Sequence, residues 1–186
     1  MSDLYQAKMI SPQKIPVLVI TGPVGVGKTT VAAALSELLG QADLAHGVID
    51  LDWLRWCYPS PADDPFQLTL GIQNLASVWS RYQAAGAARL ILVDVVETRA
   101  TLDSYQTAIP HAEMLLVRLH ADLAILRQRL KGREVGASLA WHQQRAAELT
   151  TLMEQARLED LLVDTMDRSA LDIAGEILAR TGWIAQ

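Results

Sequence analysis

The chain has 186 residues, 51% of them apolar, enough to bury a sizeable core in one domain or slightly more. With 16 basic against 21 acidic residues, a net charge of −5, it lacks the basic balance that a general nucleic-acid or anionic-membrane binder needs. Its lone cysteine, Cys57, rules out an internal disulfide framework and a cysteine metal cluster. No run approaches the roughly 20 apolar residues of a membrane span, and the first residues (with Asp3, Lys8 and Lys14) lack a signal-peptide apolar region. The expectation is a soluble cytoplasmic protein with no membrane or nucleic-acid partner. Oligomeric state is left open.

Residues 1–14 read as an N-terminal extension and 15–186 as one domain. Ile15–Ile20 reads as a buried first strand. Directly behind it, Gly22-Pro23-Val24-Gly25-Val26-Gly27-Lys28-Thr29 fits G-x-x-x-x-G-K-[ST], the phosphate-binding P-loop. Its glycines let successive backbone N–H groups curl around an anion, and the helix expected over 28–40 adds the positive end of its dipole. Lys28 is placed to reach the β- and γ-phosphates of ATP, and the Thr29 hydroxyl to hold Mg²⁺, with Thr30 in the same cradle.

Gly47–Asp50 reads as the second strand, and its end runs Asp50-Leu51-Asp52-Trp53-Leu54-Arg55. In an open parallel sheet, ligands bind at the carboxyl ends of strands. Alternation puts Asp50 and Asp52 on one side if the strand extends that far. One carboxylate can then hold Mg²⁺ through water and the other can accept a proton from an attacking hydroxyl; alternatively Asp52 caps the next helix. Arg55, one helical turn on, pairs with an anionic substrate group or lies on the surface. Trp53 and Trp56 wall a substrate pocket or, more in keeping with their type, sit in the core. Pro59–Pro65 is too proline-rich for regular structure and reads as a mobile lid.

A helix follows over about 66–85, then a third strand, Leu90–Asp94, whose final carboxylate stands where P-loop proteins contact Mg²⁺ through water. Glu97 and Arg99 face the acceptor or are solvated loop charges. Beyond a helix at 99–108 and a fourth strand at Met114–Leu119 comes a helix over 122–132, at whose end Arg129 and Arg133 stand four apart and so on one face. Arg129 can stack on a nucleobase. Arg133, in the charged, glycine-punctuated stretch Lys131–Gly136, can swing over a transferring phosphoryl group; the plain alternative is a solvated basic helix end. Arg127 lies on another face. A helix over 138–158 leads to a fifth strand, Leu161–Asp164, beyond which Asp164-Thr165 meets a nucleobase edge or simply turns the chain. The last helix, 170–181, has Ser169 and Asp172 as a capping pair, an apolar stripe of Ile173, Ala174, Ile177 and Leu178, and Gly182 as its C-terminal cap. The four histidines, His46, His111, His120 and His142, share no metal-ligand spacing. Strands alternating with helices in this way specify βαβ units and a parallel sheet covered on both faces.

These motifs resemble the P-loop small-molecule kinases, the group of shikimate kinase, gluconate kinase, adenylylsulfate kinase and chloramphenicol phosphotransferase. The resemblance runs over nearly the whole chain from Ile15. Asp50-Leu51-Asp52 resembles the D-x-D of shikimate kinase, and the stretch to Arg55 resembles D-G-D-N-x-R of adenylylsulfate kinase, with Leu51 and Trp53 replacing Gly and Asn. Arg129 through Arg133 resembles the R-x-x-x-R that leads into the LID. The resemblance implies a three-layer αβα P-loop NTPase fold, a five-stranded parallel sheet of order 2-3-1-4-5, and a LID at about 131–138. It further implies ATP, Mg²⁺ and transfer of the γ-phosphoryl group to a hydroxyl of a small-molecule acceptor. The expected catalytic residues are then Lys28, Asp52 and Arg133. The nucleotide is expected on Gly22–Thr30 and Arg129, the acceptor on Asp52, Arg55 and Arg99, and the metal on Thr29, Asp50 and Asp94. Two other readings remain: a nucleotide-binding switch or regulator with slow or no ATP hydrolysis, and a kinase of macromolecular or nucleotide-sugar acceptors like the zeta-type toxins. A GTPase is disfavoured because no N-K-x-D guanine motif occurs. A mechanical AAA⁺ ATPase is disfavoured because the third strand ends Asp94-Val95 in place of an Asp-Glu pair.

Overall fold

The computed structural model describes residues 14–184. The expected extension, 1–14, lies outside the described residues apart from Lys14, whose ammonium meets Glu113 at 2.8 Å. In chain order the elements are β1 (Ile15–Thr21), α1 (Lys28–Gln41), β2 (Gly47–Asp50), α2 (Leu51–Leu54), α3 (Leu68–Ala84), β3 (Leu90–Val93), α4 (Arg99–Ala108), β4 (Ala112–His120), α5 (Leu123–Lys131), α6 (Gly136–Ala156), β5 (Leu161–Asp164) and α7 (Ala170–Thr181). The sheet is parallel throughout, in the order β2-β3-β1-β4-β5. That is the order the family resemblance implies.

Side chains alternate across this sheet, so each strand feeds two cores. Leu18, Ile20, Ile91, Val93, Val117 and Leu119 face one side and pack with α1, α5 and α7. Val17, Val19, Ile49, Leu90, Leu92 and Leu116 face the other and pack with α3 and α4. Each such leucine, isoleucine or valine contributes about 1.5–3 kcal/mol by leaving water, so the central strands are rigid and their carboxyl ends are fixed platforms. The capping expected at the last helix is present: Asp172 N–H donates to Ser169 Oγ at 3.1 Å, its stripe is buried, and Gly182 is left-handed at φ 68°.

Three local expectations are corrected. The second strand stops at Asp50, and the next four residues form α2, so Asp50 and Asp52 do not alternate along one strand. The helix cap is Asp50, not Asp52: its Oδ1 accepts the Asp52 N–H at 3.1 Å. Trp53 and Trp56 are not core residues. Only Leu51 of α2 is buried, so the two indoles face outward, 67% and 77% exposed, against each other at 5.1 Å.

Between α2 and α3, residues 55–67 contain no helix or strand, as Pro59–Pro65 predicts. The link between α5 and α6 is only residues 132–135, because α6 starts at Gly136, inside the span expected for the LID.

Candidate active site

The P-loop lies between β1 and α1. Gly22, Gly25 and Gly27 all take positive φ, at 144°, 84° and 104°. Gly22 also has no room for a side chain, since a Cβ there would stand 2.6 Å from the Leu119 carbonyl oxygen. The loop delivers the chain to α1 with Gly27 as a left-handed N-cap. No side chain caps this helix and no acidic residue stands in its first turn. Its leading N–H groups and dipole are therefore available to an anion.

Lys28 Nζ donates to the carbonyls of Gly22 (2.9 Å) and Pro23 (3.3 Å), which holds the ammonium across the loop. Burial lowers its pKa from the ordinary lysine value, against the opposing pull of Asp52, Asp94 and Asp50. Thr29 Oγ1 donates to Asp50 Oδ2 at 2.8 Å, so the two residues expected at the metal stand together.

Asp94, just past β3, stands in a different setting. Its Oδ1 accepts from Arg55 Nη2 at 2.6 Å and from the Val95 N–H at 2.7 Å, and its Oδ2 accepts from the Tyr105 hydroxyl at 2.5 Å. The carboxylate is 2% exposed. Burial raises its pKa, and Arg55 and Tyr105 oppose the rise. The same burial, reinforced by the Asp94 charge, pushes the Tyr105 hydroxyl well above its ordinary value, so it acts as a donor. For Arg55, burial works against the charge, but Asp94 and Asp52 outweigh it and hold the guanidinium above its usual pKa. Arg55 also donates to Asp52 Oδ1 at 2.5 Å. Tyr105, Asp94, Arg55 and Asp52 thus form one chain of contacts from the core to the open carboxylate of Asp52. Tyr105→Phe is expected to lower stability by about 1.5–3 kcal/mol, the range for a hydrogen bond to a charged group. A thermal melt checks this, with a drop of about 3–12 °C expected for a chain this size.

A cavity of about 420 Å³ joins these parts. Val24, Gly25, Gly27, Lys28, Thr29 and Thr30 form its P-loop side. Asp52, Arg55, Phe66, Glu97, Arg133 and Trp141 are among the residues that face them. Gly22, Pro23 and Val26 do not line it; they are buried beneath the loop. Arg133 reaches the cavity from the α5–α6 link with a side chain 63% exposed, held by Glu134 Oε1 at 3.1 Å. Arg129 lies outside the cavity wall, where it donates to the Val26 carbonyl (3.1 Å), to Thr165 Oγ1 (3.1 Å) and to the Thr165 carbonyl (2.9 Å), tying the P-loop to the end of β5. Arg99 is not brought into the cavity: it is exposed at the start of α4. Trp53 and Trp56 do not line it either.

The arginine that faces Glu97 is Arg145 of α6, which donates to Glu97 Oε1 and stands over the Phe66 ring at 6.0 Å. Arg145, Trp141 and Phe66 belong to none of the motifs legible in the sequence. A usable signal existed: Trp141, Arg145 and Leu149 recur every four residues, which puts all three on one face of α6. Among the described residues no three His, Cys, Asp or Glu side chains converge as metal ligands. No described helix is long and apolar enough to cross a membrane.

A family model described as an AAA domain matches residues 18–151, which include the P-loop, Asp94 and the arginines of α5 and its link. The chain belongs to this family. In this AAA domain the third strand is followed by Asp94-Val95, and the acid is committed to Arg55 and Tyr105. No curated protein matches the chain in sequence. Among solved structures, a gluconokinase from Sinorhizobium meliloti 1021 is 22% identical, covering 93% of this chain and 95% of its own, with a TM-score of 0.56. A shikimate kinase from Acinetobacter baumannii in complex with shikimate is 18% identical, over 92% and 96%, with a TM-score of 0.58. An APS kinase from Mycobacterium tuberculosis in complex with AMPPNP and APS is 20% identical, over 92% and 99%, with a TM-score of 0.61. These likenesses establish the fold: the AAA domain here has the P-loop kinase architecture, in agreement with the resemblance of its motifs.

Proposed function

We propose that the protein is a Mg²⁺-dependent phosphotransferase that moves the γ-phosphoryl group of ATP to a hydroxyl of a small-molecule acceptor. The observation that carries this reading is a shared chamber. The phosphate cradle around Lys28 opens into the same cavity as Asp52 and Arg133. A nucleotide switch needs the cradle but has no use for a walled acceptor space opposite it.

The residues fit ATP and Mg²⁺ by the uncapped start of α1, the glycine conformations, and the Thr29–Asp50 pair. Bound Mg²⁺ would neutralise the charge that develops on the phosphates during transfer. The N–H groups of the loop and of α1 grip the phosphate tail. Thr29 would supply a metal ligand, with its hydroxyl oriented by Asp50. Asp94, with both oxygens engaged, acts as counter-ion to Arg55 and would hold a metal only through a water. Lys28 and Arg133 stabilise the charge on the transferring group. Asp52 hydrogen-bonds the acceptor hydroxyl and accepts its proton as the new oxygen–phosphorus bond forms and the bond to the β-phosphate bridge breaks, releasing ADP.

For a loose transition state, positioning and charge stabilisation outweigh the base. Asp52→Asn is therefore expected to lower turnover by about 100-fold or less, toward the low end for a general base. Steady-state kinetics check this. The reading as a whole is tested by ATP turnover with and without a panel of alcohols, sugars, nucleosides and antibiotics. Acceptor-stimulated ADP release supports it, and slow turnover that no acceptor changes favours the switch.

A further inference from the structure

The half of the cavity facing the P-loop has two features that together select a ligand. The first is its charge pairing. Among the described residues, every arginine lining the cavity already faces a carboxylate. Arg55 is held by Asp52 and Asp94, Arg145 by Glu97 with Glu148 at 3.6 Å, and Arg133 by Glu134. The histidine on the wall, His142, is likewise turned to Glu134. Arg133 is the exposed one of the three arginines and is claimed by the phosphoryl group in the proposed reaction, so a carboxylate or phosphate arriving as part of the acceptor would have to displace an acid from Arg55 or Arg145 and leave that acid without its partner. A cationic acceptor would meet the mirror problem. The second feature is the apolar wall. Phe66, Leu68 and Trp141 line the opening while 54%, 52% and 50% exposed, and Leu149 closes the floor at 1%. Half-exposed aromatic surface around a polar centre is what a flat ring covers on binding.

A second cavity of about 230 Å³ shares Arg55 and Leu68 with the first. It presents the hydroxyl-bearing Thr98, Thr101 and Ser104 beside Ile72. Its charged groups, Arg55 and Asp94, are paired with each other. It has the same character: room for uncharged polar substituents and no unmatched charge.

We infer that the acceptor is an uncharged, ring-bearing alcohol, with its ring face against Trp141 and Phe66 and its hydroxyl toward Asp52. This rests on the phosphotransferase reading and narrows it to a substrate class. Specificity here comes from what the site refuses as well as from what it holds: each pre-formed ion pair is a repulsive element against charged competitors.

The test measures ATP consumption by the full chain with Mg²⁺, across matched sets of benzylic alcohols, alicyclic alcohols and nucleosides. Each member stands beside a carboxylate-bearing and an amine-bearing counterpart. At least one neutral alcohol is expected to stimulate turnover about tenfold more than its charged counterparts, a discrimination of about 1.4 kcal/mol. Trp141→Ala is expected to raise the KM for that alcohol and leave the KM for ATP unchanged. Glu97→Gln combined with Glu148→Gln, which together release Arg145, is expected to narrow the gap for the carboxylate counterpart only. The inference is overturned if charged counterparts stimulate as well as or better than neutral ones. It is equally overturned if ATP binds but every neutral alcohol is silent, or if the variant carrying both Glu97→Gln and Glu148→Gln leaves the discrimination unmoved. If ATP itself fails to bind, the phosphotransferase reading fails first and this inference with it, and a direct nucleotide titration separates that case from the others.

Discussion

Replacing Lys28 with methionine is expected to lower turnover by about 100- to 1,000-fold, the loss found when one preorganised donor aimed at developing charge is removed. Methionine has a similar length and keeps the apolar stem. Among the described residues the native ammonium makes two hydrogen bonds, to the Gly22 and Pro23 carbonyls, and neither carbonyl belongs to a helix or a sheet ladder. The fold therefore has little to lose, and the melting temperature should move by no more than about 4 °C. Activity has much to lose. The cavity contains the acids Asp52 and Glu97, with Asp50 and Asp94 close behind, so an incoming phosphate tail depends on Lys28 and the N–H groups of α1 for its welcome. Steady-state kinetics and a thermal melt on the same preparation check both halves. An unchanged rate rejects the assignment of the loop to phosphate chemistry.

Arg133→Ala is expected to lower kcat by about 1,000-fold or more, in the range for an arginine that stabilises transferring phosphoryl charge. The side chain is 63% exposed and, among the described residues, pairs with its neighbour Glu134 alone, so truncation disturbs neither core. It sits on the link 132–135 between α5 and α6, a position from which it can close on the nucleotide and withdraw. The KM for ATP should change far less than kcat, because the contact matters most in the transition state. Arg133→Lys should recover part of the rate, since a lysine restores the charge but not the planar two-pronged donor. A loss confined to KM would assign Arg133 to ground-state binding instead.

How much of this was legible in the sequence follows from how far apart the interacting residues are. The phosphate cradle is eight consecutive residues, and its flanking apolar strand and helix are equally local, so it could be read directly. The strands announced themselves as short apolar runs, while their order came with the family resemblance and not from the runs. What the sequence hid lies between elements. Tyr105 and Asp94 are 11 residues apart, Arg55 and Asp94 are 39 apart, and Arg145 and Glu97 are 48 apart, so no spacing rule joins them. The four residues of α2 are too few to carry a periodic signal. That is why Asp52 was expected to alternate with Asp50, and why Trp53 and Trp56 were weighed as core by residue type alone. Once α2 turns at Asp50, Leu51 is buried and Leu54 packs partly on the core, while Trp53 and Trp56 face outward. Arg99 illustrates the same limit: a charge close to a strand end in sequence still leaves the site when a helix starts at that residue.

The central claim is that the loop behind β1 grips the tail of a nucleoside triphosphate. Calorimetric titration of the full chain with a non-hydrolysable ATP analogue, with and without Mg²⁺, tests it most directly. Saturable 1:1 binding that Mg²⁺ strengthens and Lys28→Met weakens is the predicted result. No heat of binding from a folded, monodisperse sample with Mg²⁺ present would contradict the account at its root.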